Sequence, residues 1–186
     1  MGRVVYLMNV SLDGYVADRD GSLAWTAMEE DLHQWFNDDM RRYDALLYGR
    51  RLYETMAPYW PNVPSDPTSV GVELEFAQRW LERPKIVFSS TLESVDWNSR
   101  LVRGDVADAL PRLREEFPGD ISVGGPTLAA GLISKGLVDE FRLMVHPVIL
   151  GGGQPYWPRH DRPLELELVE ERRVGSRFLL LDYRRP

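Results

Sequence analysis

Residues 121–158 read ISVGGPTLAAGLISKGLVDEFRLMVHPVILGGGQPYWP, and the order of signals within them decides the fold. The apolar run 121–123 breaks at Gly124-Gly125, a pair that lets backbone pass through positive φ or approach a ligand closely, so a strand ends there. Pro126 takes the first helical position, where its missing N–H is harmless, and Leu128, Leu132 and Ile133 follow at the spacing of one helical face. After that helix, Phe141, Leu143, Val145 and Ile149 share one parity of a second strand, and Gly151-Gly152-Gly153 turns the chain. Strand, glycine pair, helix and strand predict a βαβ unit with a crevice at the strand's carboxyl end, the place where a nucleotide sits in open α/β sheets. Unpaired amides and the helix dipole favour an anion at such a junction. Gly124, Gly125 and the following Thr127 are therefore either a phosphate cradle or merely a tight turn.

A chain of 186 residues suits one domain, expected here to span 1–186 with a single core. It has no cysteine, which excludes disulfides, thiolate metal sites and a cysteine nucleophile, and which fits a reducing cytoplasm. Twenty-two basic residues against 29 acidic ones give a formal net charge of -7, unfavourable for broad contact with nucleic acid or an anionic membrane. An anionic ligand would need a local basic pocket. The opening MGRVVYLMNVSLDGYV is followed by Asp18 and Asp20 and reads as neither a secretory signal nor a spanning helix, so a soluble, cytoplasmic protein is expected. His33 has no second His or Cys at metal spacing, and no metal site is expected.

Taken in order, residues 3–10 run apolar, as a central strand covered on both faces would. Ser11-Leu12-Asp13-Gly14 leaves its carboxyl end, making Asp13 either a site residue or the acceptor of an Asx turn. Thr26 to Glu29 matches a capping box, and Leu32, Trp35, Phe36, Met40 and Tyr43 predict a helix from about residue 27 to 42, with Asp31 on an otherwise solvated acidic face. A short strand at 44–48 ends in Gly49-Arg50-Arg51, which opens another helix. Two arginines there either meet a phosphate or pair with surface carboxylates. Pro58, Pro61, Pro64 and Pro67 mark a long loop, a lid or binding loop. A helix over about 70–82 ends at Pro84, and the strand 85–88 delivers Ser89 and Ser90, either ligand contacts or ordinary turn residues. Residues 101–103 read as an edge strand and 106–117 as a helix. Alternation at 164–169 and 178–183 around Gly175-Ser176 predicts a terminal hairpin.

Four blocks in this order, VVYLMNVSLDGYVADRDGSLAW, DALLYGRRLYE, KIVFSS and SVGGPTLAAGLISKGLVDEFRLMVHPVILGGGQPYW, cover nearly the whole chain. They resemble the dihydrofolate reductase superfamily, and within it the branch of the C-terminal reductase domain of the bifunctional riboflavin-synthesis deaminase-reductase. The resemblance implies a three-layer α/β/α fold with a mixed, mostly parallel sheet and a C-terminal antiparallel hairpin. It also implies NADPH as cofactor. On that basis Arg50, flanked by Gly49 and Arg51, resembles the arginine that meets the adenosine 2′-phosphate, with Ser89 and Ser90 beside it. Gly124 and Gly125 resemble the glycines that approach the pyrophosphate and nicotinamide, and Asp13 and Trp25 lie in the segment bordering the substrate pocket.

The expected activity is hydride transfer from NADPH to a C=N or C=O bond of a small heterocycle, most like 5-amino-6-(5-phosphoribosylamino)uracil reductase. Asp13 is the first candidate for supplying the proton or ordering the water that does, and Asp31 the second. Three departures bear on this. Leu52 stands where many relatives carry a threonine that touches phosphate, Pro126 replaces a third glycine, and the spacing of Asp31 from Trp25 does not match the pterin-gripping carboxylate of folate enzymes. Dihydrofolate reductase-type activity and a non-catalytic NADP-binding or regulatory dimer are the alternatives. A homodimer is expected because Val145, Pro147, Tyr156 and Trp157 put much apolar surface in one segment.

Overall fold

In the computed structural model, which describes residues 2–159 and 162–186, the N-terminal apolar run becomes the fifth of eight strands, buried in the middle of a sheet. The elements are β1 (Val4–Ser11), β2 (Tyr15–Ala17), α1 (Glu30–Met40), β3 (Tyr43–Gly49), α2 (Arg50–Met56), α3 (Val72–Glu82), β4 (Lys85–Phe88), β5 (Ser99–Val102), α4 (Val106–Glu116), β6 (Asp120–Gly124), α5 (Pro126–Ser134), β7 (Glu140–His146), β8 (Gln154–Pro155), β9 (Glu167–Val174) and β10 (Phe178–Arg184). The eight-stranded sheet has the order β5-β4-β3-β6-β1-β7-β10-β9. All neighbours from β5 to β7 pair in parallel, while β10 runs antiparallel to both β7 and β9. β2 and β8 form a separate small antiparallel pair.

The β6–α5–β7 crossover expected from the glycine pair is present, but β6 and β7 are not neighbours. They flank β1, so that Tyr6 stands in register with Val123 on one side and Phe141 on the other. One face of the sheet is covered by α4 and α5 through Val106, Leu110, Leu113 and Leu132. The other is covered by α1 and α3 through Leu32, Trp35, Phe76 and Trp80, giving the three-layer α/β/α sandwich. Trp80, Tyr6, Tyr156 and Phe141 are among the largest fully buried side chains. Each such aromatic contributes roughly 1.5 to 3 kcal/mol by leaving water.

The structure corrects several boundaries. α1 starts at Glu30, and its N-cap Glu29 makes no side-chain cap bond. Thr26 instead donates its hydroxyl to the Leu23 carbonyl, so the capping box does not form because its hydroxyl closes a turn ahead of the helix. The proline-rich loop contains a 3₁₀ turn, Trp60–Ser65, whose Trp60 packs on Phe76 at 4.3 Å and near His33 at 5.7 Å. That packing pins the segment against α1 and α3. Tyr156 is fully buried and stacks on Tyr6 at 4.3 Å, and Trp157 packs on Phe141 at 5.2 Å. These rings belong to the core, not to exposed surface, and they remove much of the apolar surface on which the homodimer expectation rested.

Polar residues of β7 are buried as well. Glu140 and Arg142 lie beneath α1, where Arg142 Nη1 bonds Asp39 and its Nε lies 3.3 Å from Asp182. Arg42 reaches Glu140 at 3.1 Å. Paired charges of this kind offset one another's burial, although Glu140 Oε1, Arg142 Nε and Asp182 Oδ1 make no hydrogen bond among the described residues.

Candidate active site

Because β1, β3, β4, β6 and β7 are parallel, their carboxyl ends share one edge. Gly49 ends β3 in register with Phe88 of β4, and Tyr48 stands opposite Gly124 of β6. This register brings Arg50, Ser89–Ser90 and Gly124–Gly125 to neighbouring strand ends. Asp13 follows β1, the next strand along.

The two glycines are required for different reasons. A Cβ on Gly124 would lie 2.3 Å from Leu52 Cδ2 and 3.1 Å from the Tyr48 ring, whereas Gly125 adopts a φ of 96°, which disfavours any side chain. Among the described residues the Gly125 amide donates to the Met8 thioether, at 3.3 Å, a weak acceptor that a phosphate oxygen would outcompete. α5 begins at Pro126 without a side-chain cap, and Thr127 is exposed in its first turn.

The Arg50 guanidinium is about half exposed and lies 3.6 Å from Glu54, a one-turn surface pair of the sort that contributes about 0.3–0.5 kcal/mol. Arg51 is exposed, and no ion pair holds it among the described residues. The two serines differ. Ser89 Oγ accepts from the amides of Thr91 and Leu92 and so shapes the turn, whereas Ser90 is exposed. Arg103 fixes this loop by donating to the carbonyls of Ser90 and Leu92.

Asp13 is an acceptor from several sides. Its Oδ1 receives the Ser11 hydroxyl at 2.7 Å and the Leu150 amide at 3.1 Å, and its Oδ2 receives the Gly151 amide at 2.8 Å. The Ser11 hydroxyl first, joined by these amides, holds the carboxyl below its usual range against an opposing desolvation. Asp13 thus clamps the turn after β1 to the glycine-rich turn after β7. Asp31 is exposed elsewhere, on the first turn of α1, where its carboxylate lies 3.1 Å from the place a Cβ on Gly175 would occupy. The two acids contact different segments.

Trp25 packs edge-on against His146, with ring centroids 5.3 Å apart, and its indole N–H is buried without a hydrogen-bond acceptor. His146 itself is buried at the end of β7 between Trp25 and Phe178, and its Nε2 meets Asn9 Oδ1 at 2.9 Å. Burial, and secondarily the Arg177 charge, pull its pKa down to about 4, so the ring is neutral near pH 7. His146, Asn9, Met8 and Arg103 are absent from the sequence-derived set. The available signal was parity: His146 shares a face of β7 with Glu140, Arg142 and Met144, opposite the apolar residues.

A cleft of about 530 Å³ opens elsewhere, beside Pro84, Trp97, Arg100 and Phe117. It lies at the amino ends of β4 and β5, the edge opposite Gly49 and Gly124. Among the described residues, no group of His, Asp and Glu could hold a metal ion, and no helix is long and apolar enough to cross a membrane.

Comparison with known proteins fits this geometry. A Bacillus subtilis (strain 168) protein, YyaP, is 30% identical over 182 residues, covering 97% of this chain and 94% of its own. A second protein of that organism, YwjB, is 25% identical over 177 residues, covering 94% and 93%. Among solved structures, a riboflavin biosynthesis protein of Shewanella sp. PV-4, so described provisionally, superposes with a TM-score of 0.78 at 22% identity, over 99% of both chains. Enterococcus faecalis dihydrofolate reductase, complexed with NADP(H) and RAB-propyl, gives 0.67 at 17% identity, over 99% and 96%. These two likenesses establish the dihydrofolate reductase-like fold. The profile of the RibD C-terminal domain matches residues 3–180. A profile match of that extent, laid over a sheet whose parallel strands end in the sequence-predicted residues, shows that the chain belongs to the RibD C-terminal domain family, a family with the fold of reductases.

Proposed function

We propose that this protein is a cytoplasmic, NADPH-dependent reductase acting on a C=N or C=O bond of a small heterocycle, most like a 5-amino-6-(5-phosphoribosylamino)uracil reductase. The observation that carries this reading is the convergence of Arg50, Ser90 and Gly124–Gly125 on adjacent ends of β3, β4 and β6. The residues fit a dinucleotide: a bare Gly124 that any Cβ would fill, a Gly125 amide held by a thioether, and two exposed arginines one strand away. NADPH, when bound, supplies the hydride.

The chain's own residues hold and orient. Arg50, with Gly49 at its back and Arg51 beside it, meets the adenosine 2′-phosphate. Ser90 offers its hydroxyl to the same end while Ser89 keeps the turn in shape. Gly124, Gly125 and Thr127 approach the pyrophosphate from the start of α5. The donors around Asp13 favour its ionised form, which carries no proton to give, so its role is to fix the two turns that border the substrate and to order water there. Asp31, against the hairpin turn at Gly175, remains the second candidate for supplying the proton. Trp25 walls the substrate side.

A homodimer is retained as part of the proposal, now resting on Leu12 and Ile149, apolar residues exposed at 64% and 70% on the turns that Asp13 joins. Titration of NADPH and NADH by calorimetry, followed by assay of NADPH oxidation with the ribosylamino-pyrimidine, tests the function. Tight NADPH binding with turnover is the expected result. Binding without turnover on any heterocycle would favour a non-catalytic NADP-binding module, for which Leu52 pressing on Gly124 is the specific support. No binding of either nucleotide would overturn the reading.

A further inference from the structure

β5 is the strand beyond β4, and Phe88 stands in register with Val102, so Arg103 leaves the sheet at the same edge as Ser89. The Ser89 amide donates to the Val102 carbonyl at 3.2 Å, which holds the two strand ends together. The exposed Arg103 side chain reaches back to the turn after β4. Its Nη1 donates to the Ser90 carbonyl at 2.8 Å and more weakly to that of Ser89 at 3.5 Å, and its Nη2 donates to that of Leu92 at 2.9 Å. The far end of the same loop is tied to α2, the helix that Arg50 opens. There Tyr53 Oη accepts the Asp96 amide at 2.8 Å and donates to the Asp96 carbonyl at 3.3 Å.

The acceptors that hold this guanidinium are backbone carbonyls, and a carbonyl fixes a donor without cancelling its charge. Arg103 makes no ion pair among the described residues, whereas Arg50 is shared with Glu54. An exposed arginine ordinarily gives up rotamer freedom when it meets an anion, and Arg103 has already given it up. The turn that carries Ser90 therefore bears a full positive charge in a set orientation. In a chain of net charge -7, an anion can be drawn only to such a local cation.

We propose that Arg103 is a positioning residue for the adenosine end of the nucleotide: it presets the Ser89–Ser90 turn and lends it the unneutralised charge that favours a phosphate-bearing ribose over a bare one. The inference rests on reading this edge as the nucleotide site. Adenosine 2′-monophosphate and adenosine are the probes, titrated by calorimetry at low and moderate salt into the full chain and two variants. Arg103→Gln keeps a donor for one carbonyl and removes the charge, whereas Arg103→Lys keeps the charge and loses the fork that spans the carbonyls. The monophosphate should bind about fivefold more weakly to Arg103→Gln, with adenosine unchanged and the salt dependence flattened. Arg103→Lys should keep the salt dependence and most of the preference. Hydrogen-exchange protection of the Thr91 and Leu92 amides, which donate to Ser89 Oγ, should fall in both variants. Unchanged monophosphate affinity in Arg103→Gln, or equal losses for the two probes, would overturn the role of the charge and leave Arg103 as a closure of the loop. Undiminished protection in both variants would overturn its hold on the turn. If neither variant folds, a wild-type preference for the monophosphate that does not fade with salt overturns the proposal, and one that fades supports it. Wild type binding neither probe would sink the nucleotide site and this inference with it; monophosphate binding indifferent to Arg103 would sink this inference only.

Discussion

Gly151 donates its amide to the Asp13 carboxylate at 2.8 Å across 138 residues of chain, joining the turn after β1 to the turn after β7. Both turns leave parallel strands at the edge where the candidate site lies, so the bond fixes one rim of that site. Asp13→Asn keeps the shape but leaves one oxygen to serve the acceptor positions now filled by two. Turnover should fall about tenfold with little change in unfolding temperature. The folded pKa of Asp13 is lowered, so its contribution is present above the unfolded carboxyl pKa and is lost as pH falls through the folded value. Protection of the Leu150 and Gly151 amides, relative to their intrinsic exchange at each pH, should therefore fall in acid in the wild type and be low at all pH in Asp13→Asn. Slow exchange in the mutant at neutral pH would show that the clamp is not electrostatic.

Gly153→Ala and Gly124→Ala should separate stability from binding. A Cβ on Gly153 would lie 2.0 Å from the Ala17 carbonyl oxygen, a backbone atom, at a φ of 138°. Nothing there can yield without breaking the β2–β8 pair, so a loss of roughly 3 kcal/mol or more is expected, lowering the unfolding temperature by about 6–12 °C. A Cβ on Gly124 meets Leu52 Cδ2, the end of a flexible side chain. Leu52 can rotate away, but only by leaving its place beside the proposed phosphate path, so NADPH affinity should drop more than stability. Adding Leu52→Ala to Gly124→Ala should restore part of that affinity. A calorimetric and thermal comparison of the three variants checks the order.

Much of this architecture is legible in the sequence because apolar parity and glycine placement are local signals. The crossover from Gly124 through Leu132 to Phe141 was readable, as was the terminal hairpin around Gly175. The insertion of β1 between β6 and β7 was not, since pairing partners are set by the whole sheet. Parity also misled. Glu140 and Arg142 alternate with apolar residues yet are buried, and the partners that offset this are distant in sequence: Arg3, Arg42 and Arg184 for Glu140, Asp39 and Asp182 for Arg142. Tyr156 and Trp157 looked like interface because nothing local reveals that Tyr6 lies beneath them. In the candidate site, strand-end position was enough to bring Arg50, Ser90, Gly124 and Gly125 to one edge, while the shape of the Ser89–Ser90 turn depends on Arg103, a residue from beyond the next strand.

The buried ion network gives a prediction of opposite sign to Asp13. Asp182 lies 3.3 Å from Arg142, which alone would lower its pKa, yet burial first and the neighbouring Glu140 second raise it to about 6. Burial and the like charge win because Arg142 is already shared with Asp39 and Glu140. A carboxyl raised from 3.8 to about 6 costs stability once it ionises, a penalty that is absent below the unfolded pKa and complete above the folded one. Asp182→Asn should therefore gain stability over wild type between about pH 4 and 6, levelling at roughly 1–3 kcal/mol at neutral pH. Urea unfolding of both proteins across that range measures it. A difference that shrinks with rising pH would mean that the Arg142 attraction dominates.

Arg50 provides the sharpest test of the cofactor. Its place after Gly49, at the end of β3, directs a half-exposed guanidinium along the edge, and its partner Glu54 at 3.6 Å holds it only weakly. It is therefore available to a stronger anion. NADPH differs from NADH by one phosphate at the adenosine end. A bidentate charge-assisted contact to that phosphate contributes roughly 1.5–3 kcal/mol, so Arg50→Ala should weaken NADPH by about ten- to a hundredfold and leave NADH nearly unchanged. The loss should shrink as salt rises, because ions reach a contact at the mouth of the site. Glu54→Ala, which frees the guanidinium, should leave NADPH binding unchanged or slightly tighter. Equal weakening of both nucleotides in Arg50→Ala would place the side chain on the pyrophosphate or in folding. No change in either would return Arg50 to a surface pair with Glu54 and pass the phosphate to Arg51, whose own alanine variant would then show the selective loss.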